Sequence, residues 1–193
     1  MKVVILASGY GTRIAEETDS KPKPMVMIDN KPIFWHIMKI YSAQGFSEFV
    51  ILLGYKGEII KNYFINYLIN NNYISVNTQN GEFTIIKKHS ENWKVNLIDT
   101  GLDAMTGGRL KLAKKYLDDK PFMLTYGDGL SYLKLKNLIS FHNKYNPIVT
   151  LTGVQLKGRF DTIDFHNNLV KDFENKNNLV KDFGEKPNNK TPG

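Results

Sequence analysis

Val3-Val4-Ile5-Leu6-Ala7-Ser8-Gly9-Tyr10-Gly11-Thr12-Arg13 decides how the rest of this chain is read. Val3 to Ala7 is an uninterrupted apolar run with no alternation, the pattern of a strand covered on both faces. A turn with glycines at 9 and 11 follows at once. Backbone N–H groups in such a turn converge on an anion, and Arg13 adds a planar fork matched to phosphate. The stretch is not a Walker A loop, because G-x-x-x-x-G-K-[ST] is absent, and it lacks the G-x-G-x-x-G dinucleotide fingerprint. By spacing alone it is equally an ordinary strand-to-loop turn.

Outward from this stretch, strands and helices alternate. Lys31 to Met38 begins a helix with proline in its first turn and Ile33, Ile37 and Tyr41 on one face, ending at Gly45. Phe49 to Leu53 reads as a second buried strand and Glu58 to Ile69 as a second helix. Tyr73–Val76 and Phe83–Lys88 flank Asn80-Gly81, a hairpin turn signal. Lys94 to Ile98 reads as a strand, Arg109 to Leu117 as a helix, Phe122 to Tyr126 as a strand, Leu133 to Tyr145 as a helix, and Ile148 to Val154 as a further strand. This order predicts an α/β fold, Rossmann-like, with a mostly parallel sheet, flanking helices and a β-hairpin insertion. Parallel sheets take ligands outside the carboxyl ends of their strands.

The chain has 193 residues, enough for a single domain over 1–193 with its own core. No apolar run reaches the roughly 20 residues of a membrane span. The N-terminal run is too short for a secretory leader, which points to the cytoplasm and away from membranes. There is no cysteine, so disulfides, thiolate metal sites and cysteine nucleophiles are excluded. The net charge of +7 is carried by lysine, since the only arginines are Arg13, Arg109 and Arg159. Lysines are spread evenly, which argues against a nucleic-acid stripe and suits a small polyanionic ligand.

Two further segments carry chemistry. Lys21-Pro22-Lys23-Pro24-Met25 is held extended by its prolines, so the direction of the lysines is fixed; near the glycine turn, Lys23 could neutralise a phosphate, and otherwise this is a solvated basic loop. Asp128 follows an apolar strand and lies between Gly127 and Gly129. A carboxylate there sits at the sheet edge, suited to Mg2+ bridging phosphates, although Asp-Gly alone also reads as a turn. His36 belongs to helix packing or capping, and His89, His142 and His166 lack metal-ligand spacing. Trp35, Trp93, Tyr63, Phe64 and Tyr67 read as core or subunit interface. Near the end, residues 167–176 (NNLVKDFENK) and 177–186 (NNLVKDFGEK) match at eight of ten positions, which suggests a hairpin lengthened by one strand.

Ile5-Leu6-Ala7-x-Gly9-x-Gly11-Thr12-Arg13 followed by Lys21-Pro22-Lys23-Pro24-Met25 resembles the signature of the sugar-1-phosphate nucleotidyltransferases. Lys31–Lys39, Gly54-Tyr55-Lys56-Gly57, Asp99-Thr100-Gly101, Met105–Leu110, Thr125–Gly129 and Gly158-Arg159-Phe160 are similar to the glucose-1-phosphate cytidylyltransferase family within it. The resemblance implies transfer from CTP to glucose 1-phosphate, giving CDP-glucose, a precursor of surface polysaccharide sugars, with Mg2+ as cofactor. It implies that Leu6, Ala7, Ser8, Gly9, Tyr10, Gly11, Thr12 and Arg13 wrap the nucleotide, with Arg13 and Lys23 catalytic. It further implies that Ala104 and Arg109 approach the nucleotide, that Asp128 holds the metal, and that Lys186, in Glu185-Lys186-Pro187, meets the sugar phosphate. The resemblance also implies a homo-oligomer.

The sequence departs from that pattern in three places. Ser8 stands where the family has glycine, and Ala104 where it has serine. The chain stops soon after Lys186, before the strand and second metal carboxylate that the resemblance implies, so the expectation is a domain missing its C-terminal part with little or no turnover. Use of UTP or dTTP, and a nucleotide-binding remnant without catalysis, are the alternatives.

Overall fold

The computed structural model describes residues 1–9, 21–87 and 89–153, together with short strands at 162–163, 165–166, 169–170 and 183–184. Contacts divide the chain into two compact units, Met1–Lys136 and Asn137–Gly193.

The first unit is built on a four-stranded parallel sheet of β1 (Val3–Ala7), β4 (Glu48–Leu53), β7 (Lys94–Asp99) and β8 (Met123–Tyr126), in the spatial order β7-β4-β1-β8. Val3 pairs with Phe49 on one side and with Met123 on the other, so β1 is central. Its five residues are all buried, as an apolar run without alternation requires when both faces are covered. On one face Val4, Leu6, Val50 and Leu52 pack with Ala113 and Leu117, which belong to α4 (Thr106–Ala113) and the turn after it. The alternate residues Val3, Ile5, Phe49, Ile51 and Leu53 are buried on the opposite face. α1 (Ile33–Ser42) opens directly after Pro32 and buries Phe34, Ile37 and Met38, so of the expected face of Ile33, Ile37 and Tyr41 only Ile37 is fully buried and the buried stripe is centred one residue further round the helix.

Between β1 and α1 lie a 3-10 turn (Lys23–Met25) and the small ladder of β2 (Met27–Ile28) with β3 (Lys31–Pro32). The antiparallel hairpin of β5 (Tyr73–Val76) and β6 (Phe83–Lys87) stands outside the parallel sheet, as the insertion was expected to. Its connection is longer than Asn80-Gly81 alone. The Asn77 N–H donates to the Glu82 carbonyl, the Gly81 N–H to the Asn77 carbonyl, and the Asn77 side chain takes the Gln79 N–H, which organises a loop over 77–82. Lys94–Asp99, expected simply as a strand, is the parallel edge strand beside β4.

The helix expected over 58–69 is two helices, α2 (Gly57–Ile65) and α3 (Tyr67–Asn70). The break falls at Asn66, whose side-chain amide donates to the Asn62 carbonyl that its own backbone N–H also uses. A short amide that competes for helical acceptors favours a local stop. The helix expected from Arg109 begins at Thr106, and that expected from Leu133 begins at Leu135 as α5 (Leu135–Tyr145). No helix among the described residues is long and apolar enough to cross a membrane.

The expectation of a strand over Ile148–Val154 is corrected for its described part: residues 148–153 join no ladder. An apolar run is only a candidate strand, because a strand exists by virtue of a hydrogen-bonding neighbour. In this second unit, β10 (Phe165–His166) pairs with β11 (Leu169–Val170), and β12 (Phe183–Gly184) pairs with β9 (Thr162–Ile163), both antiparallel. The two copies of the ten-residue repeat therefore each supply one short strand; the rest of the repeat lies outside the described residues.

Candidate active site

The carboxyl ends of β1 and β8 are tied together where the Gly127 N–H donates to the Leu6 carbonyl at 2.8 Å. A β-carbon on Gly127 would lie 2.8 Å from Cγ of Pro24 and 3.1 Å from the Leu6 carbonyl oxygen. Only a residue without a side chain lets the proline ring seat there. The run expected to stay extended over Lys21–Met25 is extended only at Pro22; residues 23–25 form a 3-10 turn, which Pro24 tolerates because its fixed φ suits the first turn of a helix, and in which Pro24 and Met25 are buried. The chain on either side of Lys23 is thus fixed, and its ammonium reaches Oδ2 of Asp128 as an ion pair. The two side chains are 28% and 32% exposed, so the pair opens to solvent from the sheet edge. Sequence reasoning brought Lys23 and Asp128 to one pocket by resemblance; the Pro24–Gly127 seat that positions them was not foreseen, although Gly127 stood in a quoted motif.

A second edge is formed by β4, β7 and α4. The Thr100 N–H and its Oγ1 both donate to the Leu53 carbonyl, the latter at 2.6 Å. Arg109, only 6% exposed, directs Nη1 to Thr100 Oγ1 and to the Gly101 carbonyl, both at 2.6 Å, and Nη2 to the Leu102 carbonyl at 2.8 Å. Its fork therefore braces the loop after β7. Gly54 lies beneath it: a β-carbon there would meet Cβ of Ser8 at 2.7 Å and Nη1 of Arg109 at 2.9 Å. The Ser8 side chain is accordingly turned into this packed corner and is buried. Gly54 and Thr100 are positioning residues that no chemical signal in the sequence singles out.

Among the other residues expected in the site, Leu6 and Ala7 are buried in β1 and Gly9 is exposed. Tyr10, Gly11, Thr12, Arg13 and Lys186 lie outside the described residues. Ala104 lines a groove of about 910 Å3 with Gly108 and Lys111 on α4 and Lys115 in the turn after it, which includes neither Lys23 nor Asp128. Among the described residues no three His, Asp or Glu side chains cluster as a metal site. His36 sets its Nε2 3.0 Å from the Ile28 carbonyl, a structural contact in keeping with its expected role. The Trp35 Nε1 donates to the Tyr67 hydroxyl at 3.0 Å, and Trp93 packs against Trp35, Phe49 and Tyr67. Burial pushes the Tyr63 phenol upward, with a smaller contribution from Tyr67. Burial also raises Tyr41, an effect partly offset by a hydrogen bond with Thr125.

Lys23 on the 3-10 turn and Asp128 just after β8 thus face each other beside the carboxyl edge of a parallel α/β sheet, and the comparisons with known proteins give the class: a nucleotidyltransferase. The Nucleotidyl transferase family model matches residues 2–193, and the chain belongs to that family, within its glucose-1-phosphate cytidylyltransferase branch. The glucose-1-phosphate cytidylyltransferase of Salmonella typhimurium is 46% identical over 177 residues, covering 91% of this chain and 69% of the relative. A probable glucose-1-phosphate cytidylyltransferase of Bacillus subtilis is 44% identical over 176 residues, covering 91% and 69%. Among solved structures, HddC from Yersinia pseudotuberculosis, complexed with GMP-PN, superposes with a TM-score of 0.66 at 27% identity, covering 88% of this chain and 67% of the other.

Proposed function

We propose that this protein transfers the cytidylyl group of CTP to glucose 1-phosphate, forming CDP-glucose and pyrophosphate in the cytoplasmic synthesis of a surface-polysaccharide precursor. The observation that carries this reading is the Lys23–Asp128 pair beside the common carboxyl edge of β1 and β8. The named activities of the two cytidylyltransferase relatives supply the base and the sugar phosphate.

In this reading a phosphate oxygen of glucose 1-phosphate attacks the α-phosphorus of CTP, the new P–O bond forms in line, and the bond to pyrophosphate breaks with its electron pair. Such a reaction depends on positioning and charge neutralisation. Lys23 takes the triphosphate, and Arg109 holds the loop at 100–102 toward the nucleotide, with Ala104 in the segment that follows it. Arg13, for the triphosphate, and Lys186, for the sugar phosphate, are assigned by the family resemblance alone, since both lie outside the described residues. Asp128 fits a hard divalent cation, because it is an oxygen donor at a partly open sheet edge. When bound, Mg2+ supplies charge neutralisation across the phosphates, with one carboxylate and phosphate oxygens as its natural donor set.

Calorimetric titration with CTP, UTP, dTTP and GTP in the presence of Mg2+ tests the reading. Saturable binding with CTP tightest supports it, and pyrophosphate release with glucose 1-phosphate reads the reaction itself. Absence of CTP binding overturns the proposal.

A further inference from the structure

The residue that would meet the triphosphate and the residue that would hold the cation are bonded to one another. Lys23 and Asp128 lie far apart in sequence, and their contact is created by Pro24 seated on Gly127. The backbone at Lys23 is locked by its two prolines, so the ammonium can leave Asp128 only by rotation of its own side chain. No other ion partner of Asp128 occurs among the described residues. A free divalent cation approaching this carboxylate therefore has to displace a resident positive charge, without a cluster of further carboxylates to compensate. Magnesium sheds its water reluctantly and is held mainly where phosphates join the donor set.

We propose that Lys23 is the built-in counter-ion of Asp128, which keeps free divalent cations off the carboxylate until a nucleoside triphosphate draws the ammonium away. This rests on the function proposed above. A triphosphate offers Lys23 a better partner than one carboxylate, and the vacated Asp128 then accepts the cation carried by the same phosphates. Nucleotide and metal thereby bind with positive coupling, and linkage makes that coupling reciprocal. Lysine suits the exchange because its charge is a compact point on a flexible stem, whereas a guanidinium fork would grip the carboxylate at two oxygens.

The test is Mn2+ binding without nucleotide, read by the loss of the free-ion electron paramagnetic resonance signal. Lys23→Met is expected to tighten Mn2+ binding roughly tenfold over the unmodified protein, within the usual range of coupling between sites. Lys23→Arg is expected to remain as weak as the original, and Asp128→Asn to bind no Mn2+ at this position. Lys23→Gln repeats the measurement if Lys23→Met does not fold, as judged by circular dichroism. Unchanged or weaker Mn2+ binding in the folded charge-removing variant overturns the proposal. That result leaves the functional reading standing if CTP still binds the unmodified protein, whereas absence of CTP binding removes both.

Discussion

Gly54 lies so close to Ser8 that a β-carbon added to it would stand 2.7 Å from the Cβ of Ser8. The carboxyl ends of β1 and β4 meet at this point, and Arg109 closes the third side with Nη1 at 2.9 Å from the same position. Arg109 cannot yield cheaply, because its fork is held by Thr100, Gly101 and Leu102. Gly54→Ala is therefore expected to destabilise the protein by about 1–3 kcal/mol through overpacking. Ser8→Gly in the same chain removes the nearest clash and recovers part of that loss. Urea denaturation of the two single variants and the double variant measures both effects. An unchanged midpoint for Gly54→Ala would contradict the close approach.

Arg109→Lys should behave as a loss rather than a conservative change. An ammonium cannot reproduce a fork that reaches a hydroxyl and two carbonyls in different directions. Buried acceptors left without donors put the cost at about 2–3 kcal/mol. Hydrogen exchange should show faster amide exchange at 100–104, and thermal unfolding should give the loss of stability. Wild-type protection in that loop would show that Arg109 does not brace it.

Gly127→Ala separates positioning from stability. The new methyl meets the Pro24 ring at 2.8 Å and displaces the segment that carries Lys23. CTP affinity is expected to fall roughly ten- to a hundredfold, as misplacement of a binding group near 1 Å does. The accompanying loss of stability is smaller, about 1–2 kcal/mol, because Pro24 lies at the sheet edge. Calorimetry and urea denaturation on the same preparation compare the two. Equal CTP affinity in a folded variant would detach Lys23 from the nucleotide.

Tyr63 gives a pH prediction. Its hydroxyl is buried with no hydrogen-bond partner among the described residues, and burial raises its pKa above the ordinary 10.0. Below that pH the phenol is neutral in both states and stability is flat with respect to it. As pH rises past the unfolded value, the unfolded chain ionises first, so stability falls. Tyr63→Phe removes a buried polar group that lacks a partner and should be neutral to stabilising, by up to about 1 kcal/mol at pH 7. Melting temperatures between pH 7 and 11 should then decline less steeply in the variant. An equal decline in the two proteins would mean that the phenol is not shielded.

What could be read from the sequence depended on where each signal came from. The unbroken apolar runs of β1 and β4 report burial on two faces, and both strands lie where those runs do. Ile148–Val154 carries the same signal, yet residues 148–153 join no ladder, because composition does not reveal a neighbour. Local competition by Asn66 and Asn77 divided a helix and widened a hairpin loop, since short amides act on backbone groups that no periodicity count includes. In the site, chemical residue types such as Lys23 and Asp128 stood out. Gly54, Gly127 and Pro24 stood in the quoted motifs, but their packing role was not legible, because it lies in the space they leave or fill. Ser8, a departure from the family pattern, is absorbed beside Gly54.

The central place of β1 also sets the order in which the molecule can assemble. Val3 pairs with Phe49 on one side but waits for Met123 on the other. During synthesis β1 precedes both of its neighbours and gains the second only once β8 has been made. Long-range parallel pairing of this kind makes closure of the sheet slow. Until β8 is made, one edge of the apolar strand Val3–Ala7 stays unpaired in the nascent chain, the kind of exposed edge that invites misassociation.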